Sequence, residues 1–153
     1  ILPKSQLNIT LVQGISSSDR MDYSVQKAAE LGCVKLQPVI TEFCSHRIAT
    51  HKYEKKQQHW QGVAISACEQ SGRSDLMQVA AIAPLEQIIA GIKSAVYLEP
   101  TAHRLIHDIP ILCMVILSCN NHLLSRLSGK TNKLGFQVIH VGYICHFLFN
   151  GYQ

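Results

Sequence analysis

Short runs of apolar residues alternate along the chain with longer amphipathic segments. The apolar runs are rich in β-branched residues and too short for helices, so they predict five strands: Leu7–Ile15, Val34–Ile40, Ser94–Leu98, Ile111–Leu117 and Gln137–Val141. Nearly continuous apolar strands such as Ile111–Leu117 are typical of a parallel sheet that is covered on both faces. Strands that alternate with helices therefore predict an α/β fold, with a mostly parallel sheet and helices on both faces.

The segment Lys55–Arg73 predicts the longest helix, with its start near Tyr53. Its apolar residues fall at i, i+3, i+4, i+7 and i+8 and form one helical face: Trp60, Val63, Ala64, Ala67 and Cys68. Gly72 has the position of a glycine that ends a helix. Arg73 lies just beyond the helix end, and we expect its side chain to be free to contact a ligand or a partner.

Further helices are predicted on either side of this segment. The first has Asp19 as its N-cap and ends at Gly32. Its buried face is expected to hold three residues: Met21, Val25 and Ala28. Another helix begins at Pro84, which would occupy the first helical position, and a last one is predicted over Leu123–Leu134. Pro38 lacks an N–H group, so the second strand is expected to lie at a sheet edge or to end there.

Composition narrows the class of protein. The chain has 153 residues, of which 47% are hydrophobic and 16% charged, as in a single globular domain. The formal charge of +4 permits an anionic partner such as RNA. Six cysteines without a CxxC pair predict buried, reduced thiols and a cytoplasmic location. The longest apolar run is too short for a bilayer, which takes about 20 residues, so no membrane partner is expected.

No common catalytic motif occurs in the chain, so candidate chemistry has to come from the topology. His103 and His107 are four residues apart, but Pro100 and Pro110 bracket a short segment without a third ligand, and no metal site is expected. Open α/β sheets bind ligands beyond the carboxyl ends of their strands. Glu42 is the acid that follows the second strand there, which makes it a candidate general base or a surface carboxylate of a loop.

A cluster of lysines precedes and opens the longest helix. Lys52, Lys55 and Lys56 could attract phosphate groups, or they could form the solvated first turn of that helix. The residues alone leave both interpretations open.

Three motifs then identify a family. DRMDYSVQKAAELG (Asp19–Gly32), PVITEFC (Pro38–Cys44) and KKQQHWQGVAISACEQSGR (Lys55–Arg73) resemble, in order and spacing, the RsmE family. That family comprises methyltransferases of the SPOUT trefoil-knot class that modify N3 of uridine in small-subunit ribosomal RNA. The resemblance runs from about Leu7 to Pro100 and implies S-adenosylmethionine as the methyl donor, ribosomal RNA as the substrate and a homodimer.

The resemblance also implies roles for single residues. Those we expect to act are Glu42 and Arg73 in catalysis, Arg20, Lys27, Lys55 and Lys56 in RNA binding, and Leu98, Pro100 and Gly142 at the cofactor. It further implies that the helix end Glu69–Arg73 lies beside the RNA and cofactor cleft. Residues 1–153 would form one catalytic domain, and the family's N-terminal RNA-binding barrel of the PUA type would be absent, because the chain begins where that barrel ends.

The chain departs from the family pattern at several points. Phe43 and Ser74 stand where the family has arginine and asparagine, and the family's glycine-rich cofactor loop is replaced by Ser118–His122, which has no glycine. The sequence from Tyr143 onward matches no family motif. Two alternatives to an active methyltransferase therefore stay open: a catalytically inactive, truncated derivative, and a small protein that retains RNA binding.

Overall fold

The computed structural model describes residues 8–42, 44 and 47–92, together with the backbone of strands 96–99, 113–118 and 137–140. The elements in chain order are β1 (Asn8–Gly14), α1 (Ser18–Glu30), β2 (Lys35–Ile40), a 3-10 turn (Thr50–Lys52), α2 (Tyr53–Gln70), β3 (Gln78–Val79), β4 (Ala83–Pro84), α3 (Leu85–Ala90), β5 (Val96–Glu99), β6 (Cys113–Ser118) and β7 (Gln137–His140).

The strands form one seven-stranded sheet in the order β3-β2-β1-β6-β5-β7, with β4 also paired to β2. All described strand pairs are parallel. Strand β1 is central, since Leu11 lies opposite Leu36 of β2 on one side and opposite Ile116 of β6 on the other. The predicted α/β fold with a parallel sheet is thereby confirmed.

The main hydrophobic core lies between the sheet and the pair of helices α1 and α2. Met21, Val25 and Ala28 of α1 are buried, as predicted, and so are Trp60 and Ala64 of α2. The remaining buried residues of this cluster are Leu11, Ile15, Ala29, Cys33, Leu36, Ala67, Cys68, Met77 and Val79. The amphipathic pattern of both helices therefore gave the correct buried faces.

On the opposite face of the sheet, α3 packs beside β2 and β4. Val12 and Val39 are fully buried but do not belong to the main cluster, because alternate residues of a strand point to opposite faces. Leu85, the first residue of α3, is likewise buried outside the main cluster, and α3 contacts β2 and β4. Helices on both faces of the sheet were predicted, and the described elements agree.

Pro38 does not lie in an edge strand, so that prediction is wrong. Strand β2 has β1 on one side and β3 and β4 on the other. The carbonyl of Leu36 faces the β3 side, where it accepts a hydrogen bond from the Ala80 amide at 2.9 Å. Because peptide groups alternate in direction, the nitrogen of Pro38 faces the same side, in the gap between β3 and β4. The missing N–H therefore costs no ladder bond.

Two helix starts differ from the prediction by one or two residues. Ser17, not Asp19, is the N-cap of α1, and Asp19 lies in the first helical turn, where its negative charge suits the helix dipole. Pro84 is the N-cap of α3 rather than its first residue. The predicted helix ends are confirmed, since Gly32 and Gly72 have φ angles of +99° and +67°.

Several expectations concern residues outside this description. The predicted helix Leu123–Leu134, the knot and the pair His103 and His107 lie there. Within the described ranges, the three cysteines Cys33, Cys44 and Cys68 are free thiols. A search of the same ranges finds no helix with the length and apolar character to cross a bilayer.

Candidate functional site

The candidate site lies at the edge of the sheet where the parallel strands have their carboxyl ends. There the Ile15 amide, just after β1, donates to the carbonyl of Val39 near the end of β2, at 3.0 Å. Helices α1 and α2 follow β1 and β2, so both start at this edge. Their free N–H groups and the positive ends of their dipoles favour anionic ligands at this edge.

Glu42 lies on a compact turn at this edge, two residues after β2. The turn is closed by the Cys44 amide, which donates to the Thr41 carbonyl at 3.2 Å, and by the Thr41 amide, which donates to the Cys44 sulfur at 3.3 Å. The Cys44 thiol in turn lies 3.9 Å from the Val39 carbonyl. The side chain of Glu42 is exposed. A carboxylate on such a turn can accept a proton from a ligand beyond the strand ends.

Helices α1 and α2 run side by side in the same direction. Lys56 donates from Nζ to the hydroxyl of Ser18 at 3.0 Å, and His59 Nε2 lies 3.0 Å from both carboxylate oxygens of Asp22. The first contact links the first turns of the two helices and the second contact links their second turns. They bring the predicted RNA-binding residues Lys56 and Arg20 to the same end of the helix pair.

The four predicted RNA-binding residues are not equivalent. Arg20 and Lys55 are exposed, and Lys56 is half-buried. Lys27 lies near the end of α1, where its ammonium donates to Glu30 at 2.7 Å and lies 5.7 Å from the centre of the Tyr23 ring. The hydrogen bond to Glu30 raises the pKa of Lys27, while its small burial acts in the opposite direction. The charge of Lys27 is therefore largely balanced within the helix.

Arg73 is not free, so the expectation about its side chain is wrong. Its Nη1 donates to the carbonyls of Ala29 at 2.5 Å and Cys33 at 3.3 Å. The Ala29 carbonyl lies in the last turn of α1, where carbonyls have no i+4 partner within the helix, and the Cys33 carbonyl lies three residues beyond the helix. Arg73 thereby caps α1 from the turn that follows α2, as a cation at the negative end of the dipole.

The structure also places Arg73 and Glu42 at opposite ends of the strands: Arg73 where the strands begin and Glu42 at the carboxyl edge, where they end. Cys33 precedes β2 and Glu42 follows it, and the six residues of β2 separate the two edges by roughly 20 Å. The helix end Glu69–Arg73 is thus not beside the carboxyl edge at which we expect the cleft. A catalytic role for Arg73 stays a prediction, and its hydrogen bonds favour a structural role.

Cys33 lies in this capped region and is inert. Its side chain is 3% exposed. Burial raises the pKa of the Cys33 thiol to about 11, although the nearby Arg73 guanidinium acts in the opposite direction. Since the thiolate is the reactive form, Cys33 is a packing residue rather than a nucleophile.

The predicted cofactor residues belong to the other half of the carboxyl edge. Leu98 lies in β5, opposite Ile139 of β7, and β5 also pairs with β6. The carboxyl ends of these three parallel strands therefore lie next to one another. Pro100 and Gly142, which follow β5 and β7 in the sequence, are outside the described residues.

The sequence analysis missed the contacts between the two helices. Ser18 with Lys56 and Asp22 with His59 are separated by 38 and 37 residues, and such nearly equal separations are expected for two helices that pack side by side in the same direction. These separations have meaning only once the parallel packing of α1 and α2 is known. Among the described residues, no group of three or more His, Cys, Asp or Glu could hold a metal ion.

Comparisons with known proteins agree with this arrangement. The ribosomal RNA small subunit methyltransferase E of Buchnera aphidicola subsp. Schizaphis graminum is 36% identical over 76 residues, which are 50% of this chain and 31% of that protein. The crystal structure of the enzyme of the same name from Neisseria gonorrhoeae, bound to S-adenosyl methionine, is 30% identical. It has a TM-score of 0.74 and covers 88% of this chain, which in turn covers 58% of it.

A second solved structure is a putative methyltransferase from Legionella pneumophila in complex with the bound cofactor SAM, which is 29% identical and also has a TM-score of 0.74. The matched region covers 88% of this chain and 58% of the Legionella chain. The chain thus spans about a third of the curated relative and somewhat over half of the solved structures. These findings confirm the resemblance that the three motifs predict. Residues 3–114 match the family described as RNA methyltransferase domain, and the chain therefore belongs to that family.

Proposed function

We propose that the chain acts as the catalytic domain of a methyltransferase that transfers a methyl group from S-adenosylmethionine to N3 of uridine in small-subunit ribosomal RNA. The observation that carries this proposal is the shared fold with the enzyme from Neisseria gonorrhoeae bound to S-adenosyl methionine, which covers 88% of the chain at 30% identity. A homodimer and a cytoplasmic location are part of the same proposal and follow from the family resemblance.

The described backbone fits a ligand of this kind at the carboxyl edge. Strands β5, β6 and β7 end side by side there, and open parallel sheets bind nucleotide-like ligands beyond such strand ends. Leu98, Pro100 and Gly142 would hold the cofactor against this edge. S-adenosylmethionine, when bound, supplies an electrophilic methyl group, so the protein has to align the reactants and remove a proton.

Glu42 is the residue we propose for proton removal. Uridine N3 carries an imide proton, which has to leave as the nitrogen takes the methyl group. The exposed carboxylate of Glu42, on the turn closed by Thr41 and Cys44, can accept that proton. Arg20, Lys55 and Lys56 would hold RNA phosphates at the same edge, near the starts of α1 and α2.

Calorimetry with S-adenosylmethionine and an assay of methyl transfer to small-subunit ribosomal RNA test the proposal. We expect micromolar binding and a product methylated at uridine N3. Replacing Glu42 by glutamine should leave cofactor binding unchanged and lower kcat by about 10²–10⁴-fold, because the base is lost. Glu54→Gln, which removes an exposed carboxylate from the first turn of α2, is the matched control. Unchanged kcat in Glu42→Gln would contradict the assignment.

Binding of RNA gives a separate prediction. Arg20→Gln, Lys55→Gln and Lys56→Gln should each weaken binding and reduce the slope of log K against log salt by about 1, as for a lost phosphate contact. Lys27→Gln should have a smaller effect, because Glu30 balances that charge. Lys35→Gln, at the start of β2 and thus at the opposite edge, is the control. Equal salt slopes in the wild type and all five variants would contradict the assignment of this RNA-binding surface.

One observation favours a second candidate function. The segment Ser118–His122, at the end of β6 and beyond it, has no glycine where the family resemblance implies a glycine-rich cofactor loop. Side chains at these positions restrict the close approach of the backbone to a ligand. A derivative without catalytic activity that retains RNA binding would show no heat with S-adenosylmethionine but salt-dependent binding of ribosomal RNA.

A further inference from the structure

Strand β3 ends the described sheet, and its backbone groups alternate between two directions. The amides of Gln78 and Ala80 donate to the β2 side, to the carbonyls of Val34 at 3.0 Å and Leu36 at 2.9 Å. The Met77 carbonyl and the amide and carbonyl of Val79 therefore point the other way, where the described residues supply no neighbouring strand. An edge of this kind offers unpaired N–H and C=O groups to a strand from another chain.

Two glutamines of α2 bind these outward-facing groups. Gln61 donates from Nε2 to the Met77 carbonyl at 3.0 Å, and its Oε1 accepts from the Val79 amide at 2.8 Å. Gln57, one helical turn earlier, donates to the Val79 carbonyl at 2.8 Å. All three outward-facing groups, the Met77 carbonyl and the Val79 amide and carbonyl, thus have a side-chain partner.

The carboxamide of Gln61 follows the bonding pattern of a strand. In a parallel ladder, one residue donates to the carbonyl before its partner residue and accepts from the amide after it. Gln61 does the same around Gln78, since it bonds to the Met77 carbonyl and the Val79 amide. The buried side chains of Met77 and Val79, at 0% and 1% exposure, fix the strand beneath the helix.

We propose that Gln57 and Gln61 take the place of a further strand and close the β3 edge of the sheet to strand addition by a second chain. Free edge strands are a common route to association, and a covered edge removes that route. This inference concerns the fold of the chain itself and does not rest on the methyltransferase activity.

Hydrogen exchange of single backbone amides tests the first half of the proposal. In Gln61→Met, which keeps the size of the side chain without its amide, exchange at Val79 should speed up about tenfold relative to Ala80. The Ala80 amide bonds to β2 and reports any general loss of stability. In Gln61→Glu, which keeps the acceptor oxygen, the ratio should stay near that of the wild type. An unchanged ratio in Gln61→Met would overturn the proposal.

Sedimentation of the full chain at several concentrations tests the second half. The double variant Gln57→Met/Gln61→Met should associate at least about tenfold more tightly with itself than the wild type does. Gln58→Met is the control, because Gln58 is exposed on the same helix and bonds within α2 to Glu54. Equal association of the double variant and the wild type would show that the glutamines do not prevent strand addition at β3, and would overturn the proposal.

Discussion

Replacing Trp60 by alanine is expected to lower the free energy of unfolding by about 3–5 kcal/mol, a large part of the stability of a domain of this size. Trp60 is 1% exposed and belongs to the cluster between α2 and the sheet. Its removal takes away the largest side chain of that cluster and leaves a cavity among residues held by both helices. Urea denaturation followed by circular dichroism measures the change.

Two variants separate the size of Trp60 from its chemistry. Trp60→Phe should cost much less than alanine, because the indole N–H has no hydrogen-bond partner among the described residues and its loss leaves no acceptor unpaired. Ile65→Ala, on the outer face of the same helix, should stay within about 0.5 kcal/mol of the wild type. If Trp60→Ala lost no more stability than Ile65→Ala, the assignment of this core would be wrong.

The fold was largely predictable because its long elements carry strong periodic patterns. The buried face of α2 follows from residues three and four apart, and β1, β2 and β6 follow from apolar runs. Strands β3 and β4 could not be found in this way, since each has two residues and two residues have no period. They exist because β2 offers them a partner, which is a property of the assembled sheet.

The candidate site was predictable only where a residue's place follows from topology. Glu42 comes directly after a strand of a parallel sheet, so its position at the carboxyl edge could be expected. Arg73 follows a helix. A helix that leads back to the start of the next parallel strand ends where the strands begin, which is the end of the sheet opposite Glu42. Its partners are backbone carbonyls 44 and 40 residues away in sequence, and carbonyls carry no sequence signal.

Arg73 therefore has a second explanation for its place in a family motif. The guanidinium reaches two carbonyls from the end of α2: that of Ala29 in the last turn of α1 and that of Cys33, three residues beyond the helix. The turn at Gly72 is what directs it there, since the backbone in the left-handed region reverses the chain after Ser71. A motif that ends in Gly-Arg can thus reflect the joining of two helices rather than contact with a substrate.

Replacing Arg73 by methionine is expected to lower the free energy of unfolding by about 1.5–3 kcal/mol, the range for hydrogen bonds made by a charged group. Methionine keeps much of the aliphatic length but cannot donate to the carbonyls of Ala29 and Cys33. Arg73→Lys should lose less, because an ammonium retains donors and a charge at the end of α1. Thermal and urea denaturation of the two variants measure this order.

Arg20→Met is the matched control, since it removes an exposed arginine from the start of α1 and should change stability by less than about 0.5 kcal/mol. The two arginines should show opposite profiles, because Arg20→Met weakens RNA binding while Arg73→Met, assayed below its unfolding temperature, does not. A folded Arg73→Lys protein of wild-type stability that loses methyl transfer by more than about 100-fold would contradict the structural role, because only direct action on the substrate separates activity from stability in that way.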